Sequence, residues 1–225
     1  MLPLNKILFF NDFLPARTGE LNMALDEILL RECSLPWLRC YGWSRQTLSI
    51  GYFTPVNSVE FGNVPWIRRW TGGGAVHHGG TRDATYAFGI PRGDPASSVR
   101  SSSAYKYIHQ SVQRALLGIG IACRLADGYK YTVAGTACFE NPVISDVITC
   151  HGGLKIAGGA QRRSRYGLLH QGSIQDVLIP ADFGFMLANS LSRNIKQEQV
   201  DDDILGRASM LAISKYSTPE WKFRK

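Results

Sequence analysis

Three consecutive glycines follow a pair of arginines in the string Arg68-Arg69-Trp70-Thr71-Gly72-Gly73-Gly74-Ala75-Val76-His77-His78. Such a run suits neither a helix nor a strand interior, because glycine loses more backbone freedom on ordering than any other residue. It therefore separates two ordered segments, and the apolar runs around it, 65–70 and 84–90, read as β-strands. The entropy cost makes most sense where a ligand approaches the main chain closely. Backbone N–H groups of Gly72, Gly73 and Gly74, with Arg69 adding charge-assisted hydrogen bonds, would suit a carboxylate, phosphate or carbonyl oxygen. A plain tight turn explains the same glycines. Neither the P-loop nor the Gly-x-Gly-x-x-Gly spacing is met, so the pattern does not indicate nucleotide binding. His78 reads as a group that orients an acyl or phosphate moiety, as a proton carrier, or as a histidine that only bonds the loop.

The remaining chain alternates helical and strand patterns. Apolar residues recur at helical spacing through Leu21-Asn22-Met23-Ala24-Leu25-Asp26-Glu27-Ile28-Leu29-Leu30, with Thr18 as the cap. Segments 38–43 and 47–53 read as a hairpin or adjacent strands of one sheet. A second helix carries Tyr105, Ile108, Val112, Ala115 and Leu116 on one face and ends at Gly118 and Gly120. Strands follow at 121–125, 145–150, 154–157 and 167–174, then a helix after Pro180, while 191–208 reads as an exposed turn or frayed helix. The expected fold class is α+β, a single domain over 1–225.

Two further constellations bear chemistry. In Gly152-Gly153-Leu154-Lys155-Ile156-Ala157-Gly158-Gly159-Ala160-Gln161, one lysine stands among apolar neighbours in a glycine-bordered strand. Pointed into a cleft, Lys155 would stabilise negative charge on a reacting oxygen; strand periodicity alone makes it an outward-facing lysine. In Ala137-Cys138-Phe139 the thiol sits in a glycine-rich loop, a context suited to nucleophilic attack near a cation such as Lys155. Cys33, Cys40, Cys123 and Cys150 lie in or beside apolar segments and read as buried packing residues.

Composition narrows the class. At 44% hydrophobic and 19% charged, without repeats or low-complexity tracts, the 225 residues describe a compact globular protein. The apolar run 7–10 is too short for a signal peptide or membrane span, so a cytoplasmic location is expected. Five widely spaced cysteines argue against a disulfide framework and against a zinc site. A net charge of +7 suits nucleic acid, a membrane surface or an acidic protein. The basic string Gln161-Arg162-Arg163-Ser164-Arg165-Tyr166 reads as a solvated loop between strands.

Taken together, these motifs resemble the catalytic domain of lipoate-protein ligases and octanoyltransferases, related more distantly to biotin protein ligase. The resemblance is carried by Asn22-Met23-Ala24-Leu25-Asp26-Glu27, Arg39-Cys40-Tyr41-Gly42-Trp43, Leu48-Ser49-Ile50-Gly51, the arginine and glycine string, Thr85-Tyr86, Ser145-Asp146, Lys155-Ile156-Ala157-Gly158, Ala160-Gln161, His170 with Gly172-Ser173, and Lys215-Tyr216 with Glu220-Trp221. It implies a mixed β-sheet flanked by helices. It also implies an acyl site built from Arg69, Gly72, Gly73, Gly74, His78, Lys155, Gly158, Ala160 and His170. The chain stops soon after Trp221, so no C-terminal accessory domain is expected.

The implied activity is transfer of an octanoyl or lipoyl group to a specific lysine of a lipoyl domain, in a 2-oxoacid dehydrogenase complex or the glycine cleavage H protein. Cys138, placed upstream of Ser145-Asp146, resembles the nucleophile of the octanoyltransferase type, which draws on octanoyl acyl carrier protein and needs no cofactor. The alternative is a ligase that activates free lipoate with ATP and Mg2+. A third reading, a non-enzymatic basic protein binding nucleic acid through Arg162, Arg163 and Arg165, finds less support. Neither a nucleic acid nor a membrane is an expected partner.

Overall fold

The computed structural model describes residues 4–128 and 142–224. An eight-stranded mixed sheet forms its centre, built from β1 (Ile7–Arg17), β2 (Trp37–Trp43), β6 (Ala84–Pro91), β7 (Cys123–Leu125), β8 (Val147–Thr149), β9 (Lys155–Ser164), β10 (Gly167–Ile174) and β11 (Ile195–Glu198). Its spatial order is β11-β1-β2-β6-β10-β9-β8-β7. β1 pairs in parallel with β2 and β11, and the pairs from β2 to β7 are antiparallel. A small second sheet joins β3 (Thr47–Ile50) to β4 (Trp66–Arg68) and β5 (Val76–His78).

Helices α2 (Ser101–Gly118) and α3 (Phe183–Leu191) cover one face of the large sheet, and α1 (Gly19–Glu32) covers the other with α4 (Asp202–Leu211) behind it. Strand β6 therefore sends Tyr86, Phe88 and Ile90 into one core and Ala87 into the other. Burial on both faces explains why its sequence is a continuous apolar run and not an alternating one. Thr18 caps α1 by accepting the Leu21 N–H. No helix among the described residues is long and apolar enough to cross a membrane.

The α+β class and the mixed sheet with flanking helices are as expected, with four local differences. β2 and β3 lie in different sheets, because the chain leaves the large sheet at Trp43 and crosses to β4 and β5. The basic string is not a loop: Gln161 to Ser164 extend β9, and only Arg165 and Tyr166 turn. Arg162 packs its guanidinium over Tyr52 and Trp70, at 4.3 and 5.0 Å from the ring centres. Residues 195–211 form β11 and α4, whose first turn is capped by Asp201. Cys40 and Cys123 are buried and Cys33 is half-buried, but Cys150 is exposed because β8 ends one residue before it.

Candidate active site

The site begins at the glycine turn, whose shape is fixed from behind. Arg69, buried as the chain leaves β4, bonds Ser49 O at 2.8 Å and Ser49 Oγ at 2.6 Å through Nη1. Its Nη2 donates to Gly72 O at 3.0 Å and Gly74 O at 2.8 Å, while Thr54 Oγ1 donates to Gly73 O at 2.9 Å. All three glycine carbonyls thus face protein donors. In a trans peptide the N–H points opposite its carbonyl, so the N–H groups of Gly73, Gly74 and Ala75 are directed away from these donors. Gly73 has φ of +86°, a left-handed conformation natural to glycine.

β5 brings His78 beside this turn. Its ring stacks on Trp43 with centroids 4.1 Å apart, and its nitrogens lie 2.7 Å from Ser49 Oγ and 3.3 Å from Thr85 Oγ1. Burial first, and the Arg69 charge second, hold its pKa well below the ordinary histidine value. The imidazole is therefore neutral near pH 7 and serves as a wall and hydrogen-bonding group. His77, its neighbour on β5, points outward and is exposed.

Between the two sheets lies a cleft of about 410 Å³, counted to its open mouth. Met23, Tyr41, Trp43, Val76 and His78 form walls, and the Gly158-Gly159-Ala160 and Gln171-Gly172-Ser173 segments line it from the large sheet. Polar ends in this lining are drawn away from the space. Tyr41 donates its hydroxyl proton to Asp26 at 3.0 Å, and Gln171 Nε2 donates to the same carboxylate at 2.7 Å. Asp26 is also held by the buried Arg39 at 2.8 Å, and Thr71 Oγ1 donates to Gln171 Oε1 at 2.7 Å. The result is a predominantly carbon-lined slot whose floor is braced by a buried ionic network. Burial raises the Asp26 pKa, opposed by Arg39.

At the Gly158 end of the slot stands Lys155. It points inward with 3% of its side chain exposed, and its Nζ lies 2.9 Å from Asp146 Oδ2. Gly158 leaves room for it: a Cβ there would sit 2.2 Å from Lys155 Cε and 2.5 Å from Nζ. Periodicity misleads here because the β8–β9 pairing shifts register between Val147 and Ile148, a bulge that breaks alternation.

Arg69, His78, Gly158 and Ala160 line the cleft, Lys155 adjoins it, and the glycine turn follows Arg69. His170 lies elsewhere. On β10 it faces α2, wholly buried among Tyr86, Tyr105 and His109, with ring centres 5.2–5.7 Å away. Gln171 and Ser173 reach the cleft instead. Cys138 lies outside the described residues. Met23, Tyr41, Trp43, Thr85 and Gln171 were not singled out as site residues from sequence; a polar Asp26 amid the apolar face of α1 was the available signal for a buried network.

An octanoyltransferase LipM from Brevibacillus brevis is 31% identical over 203 residues, 83% of this chain and 72% of the relative. The one from Oceanobacillus iheyensis is 36% identical over 168 residues, covering 69% of this chain and 59% of the relative. The LipM of Anoxybacillus flavithermus matches across 91% of this chain and 94% of its own length at 27% identity. Among solved structures, a bi-partite lipoate protein ligase from Thermoplasma acidophilum superimposes with a TM-score of 0.75 at 18% identity, covering 98% of this chain and 96% of that one. A lipoate-protein ligase A bound with ATP gives 0.71 at 20% identity, over 97% and 98%. The family model described as the lipoyl protein ligase A/B catalytic domain matches residues 18–220, spanning α1, the glycine turn, the cleft and Lys155, and the chain belongs to that family.

Proposed function

We propose that this chain is an octanoyltransferase that moves an octanoyl group from acyl carrier protein to a lysine of a lipoyl domain through a thioester on Cys138. The observation that carries the reading is the carbon-lined slot ending at buried Lys155. Burying six methylenes of an octanoyl chain at about 0.8 kcal/mol each contributes roughly 5 kcal/mol of gross affinity. The relatives of 31% and 36% identity bear the octanoyltransferase name. The acceptor follows the same kinship: the Thermoplasma ligase is described together with its E2 lipoyl domain.

In the proposed reaction Cys138 Sγ bonds to the thioester carbonyl carbon. The carrier's C–S bond breaks, and the carrier leaves as a thiol with the proton Cys138 gives up. The Lys155 ammonium and the outward N–H groups of the glycine turn supply positive potential for the tetrahedral oxyanion. The acceptor lysine's amine then displaces Sγ, forming the amide and returning a proton to Cys138. A net charge of +7 favours encounter with acidic carrier and lipoyl domains.

The test is incubation with octanoyl acyl carrier protein, without nucleotide, followed by intact mass spectrometry. The reading expects an octanoyl adduct that Cys138→Ala removes. No adduct, with lipoylation appearing only on addition of lipoate, ATP and Mg2+, would make the chain a ligase.

A further inference from the structure

Asp146 is wholly buried, and each of its carboxylate oxygens is engaged. Oδ2 accepts from Lys155 Nζ at 2.9 Å and from the Val143 N–H at 2.8 Å. Oδ1 accepts the Tyr105 phenol proton at 2.6 Å and lies 3.9 Å from His109 Nδ1. Tyr105 in turn accepts the Gly159 N–H at 3.2 Å, which keys the carboxylate to the strand that lines the cleft. The preceding residue, Ser145, has φ of 72°, a left-handed conformation that side-chain-bearing residues rarely adopt. It is gripped from two sides. Its N–H donates to Ala126 O at 2.8 Å, and its carbonyl accepts from His109 Nδ1 at 2.7 Å. Strain of this kind persists only where the surroundings over-determine it, and here they aim Asp146 at Lys155.

We propose that Asp146 is the positioning residue of the acyl-transfer site, holding the Lys155 ammonium at the Gly158 end of the cleft and locking it to the backbone at Val143, five residues after Cys138 in the sequence. The assignment rests on the octanoyl-transfer reading above. Asp146 acts through Lys155, by distance and charge, and forms no bond to the acyl group. An asparagine at 146 would match its volume but lose the charge, and its NH2 would turn a donor toward Lys155 Nζ, the Val143 N–H or the Tyr105 hydroxyl.

Single-turnover acylation of the full chain by octanoyl acyl carrier protein, followed by intact mass, separates the fraction of enzyme that reacts from its rate. Asp146→Asn is expected to react to the wild-type extent at a rate about a hundredfold lower. Its KM for the octanoyl carrier should stay within about twofold of wild type. Tyr105→Phe removes one hydrogen bond and keeps the ion pair, and its rate should fall about tenfold. A smaller reactive fraction with an unchanged rate would make Asp146 a folding residue only and overturn the assignment. If Asp146→Asn does not fold, an unchanged rate in Tyr105→Phe overturns it instead. A wild-type chain that forms no adduct refutes octanoyl transfer itself, a result distinct from a wild-type adduct with unaffected variants.

Discussion

Replacing Gly158 with alanine places a methyl group 2.2 Å from Lys155 Cε, 2.5 Å from Nζ and 3.2 Å from Asp146 Oδ1. Ordinary carbon contacts start near ~3.5 Å, so the lysine tip must retreat by about 1 Å. The displaced atoms end a flexible side chain, so the fold can yield, at an overpacking cost of about 1–3 kcal/mol. Catalysis has less tolerance: misplacing a reacting or stabilising group by about 1 Å costs on the order of a hundredfold in rate. Gly93→Ala, in the turn after β6 and outside the cleft lining, is the matched control, since a Cβ there meets nothing within 4 Å and Gly93 has no left-handed φ. Octanoyl transfer to a lipoyl domain, followed by mass spectrometry alongside thermal unfolding, should show kcat for Gly158→Ala down by about two orders of magnitude with the protein still folded. Gly93→Ala should stay within about threefold of wild type. Equal effects of the two substitutions, or wild-type kcat in Gly158→Ala, would refute the placement of Lys155 at the cleft end.

Other regions of the structure give further expectations. Arg39 is wholly buried and bridges Asp26 and Asp12, so Arg39→Leu leaves the buried Asp26 carboxylate without its cationic partner, while Asp12 keeps Arg17, and should cost about 3–5 kcal/mol, read by urea denaturation. Burial pushes the His109 pKa down to about 4, with the Asp146 charge opposing it. Because the unfolded chain binds this proton near the ordinary value of 6.5 and the folded chain does not, the neutral ring's contribution is intact above pH 6.5. It is lost as pH falls toward 4, a difference of roughly 3 kcal/mol. His78 and His170, also depressed by burial, act in the same direction, so denaturation midpoints should fall steeply between pH 6.5 and 4, and a flat profile would contradict the assignment.

Much of the fold is legible in the sequence where one physical signal dominates. Thr18 and the helical repeat after it define α1, and the apolar run 84–90 defines a strand buried on both faces. Tertiary pairing obscured the rest. β1 is interrupted by Asn11, Asp12 and Pro15 and reads poorly as a strand, yet Asp12 is there to meet Arg39. Alternation correctly separates His170 from Gln171 but cannot say which one faces the cleft, because both faces of the sheet are buried. The bulge just after Lys155, where the β8–β9 pairing skips Ile156, hides its inward direction in the same way. Within the glycine turn, the residue types announce close approach, but only the structure shows Arg69 and Thr54 bonding its carbonyls.

The most direct test of the central claim starts from the isolated octanoyl-enzyme, mixed with a lipoyl domain in the absence of nucleotide. Octanoyl transfer through Cys138 predicts that the enzyme adduct disappears as an octanoylated lysine appears on the lipoyl domain, one for one. An adduct that persists, with modification of the lipoyl domain only when free acid, ATP and Mg2+ are supplied, would contradict it.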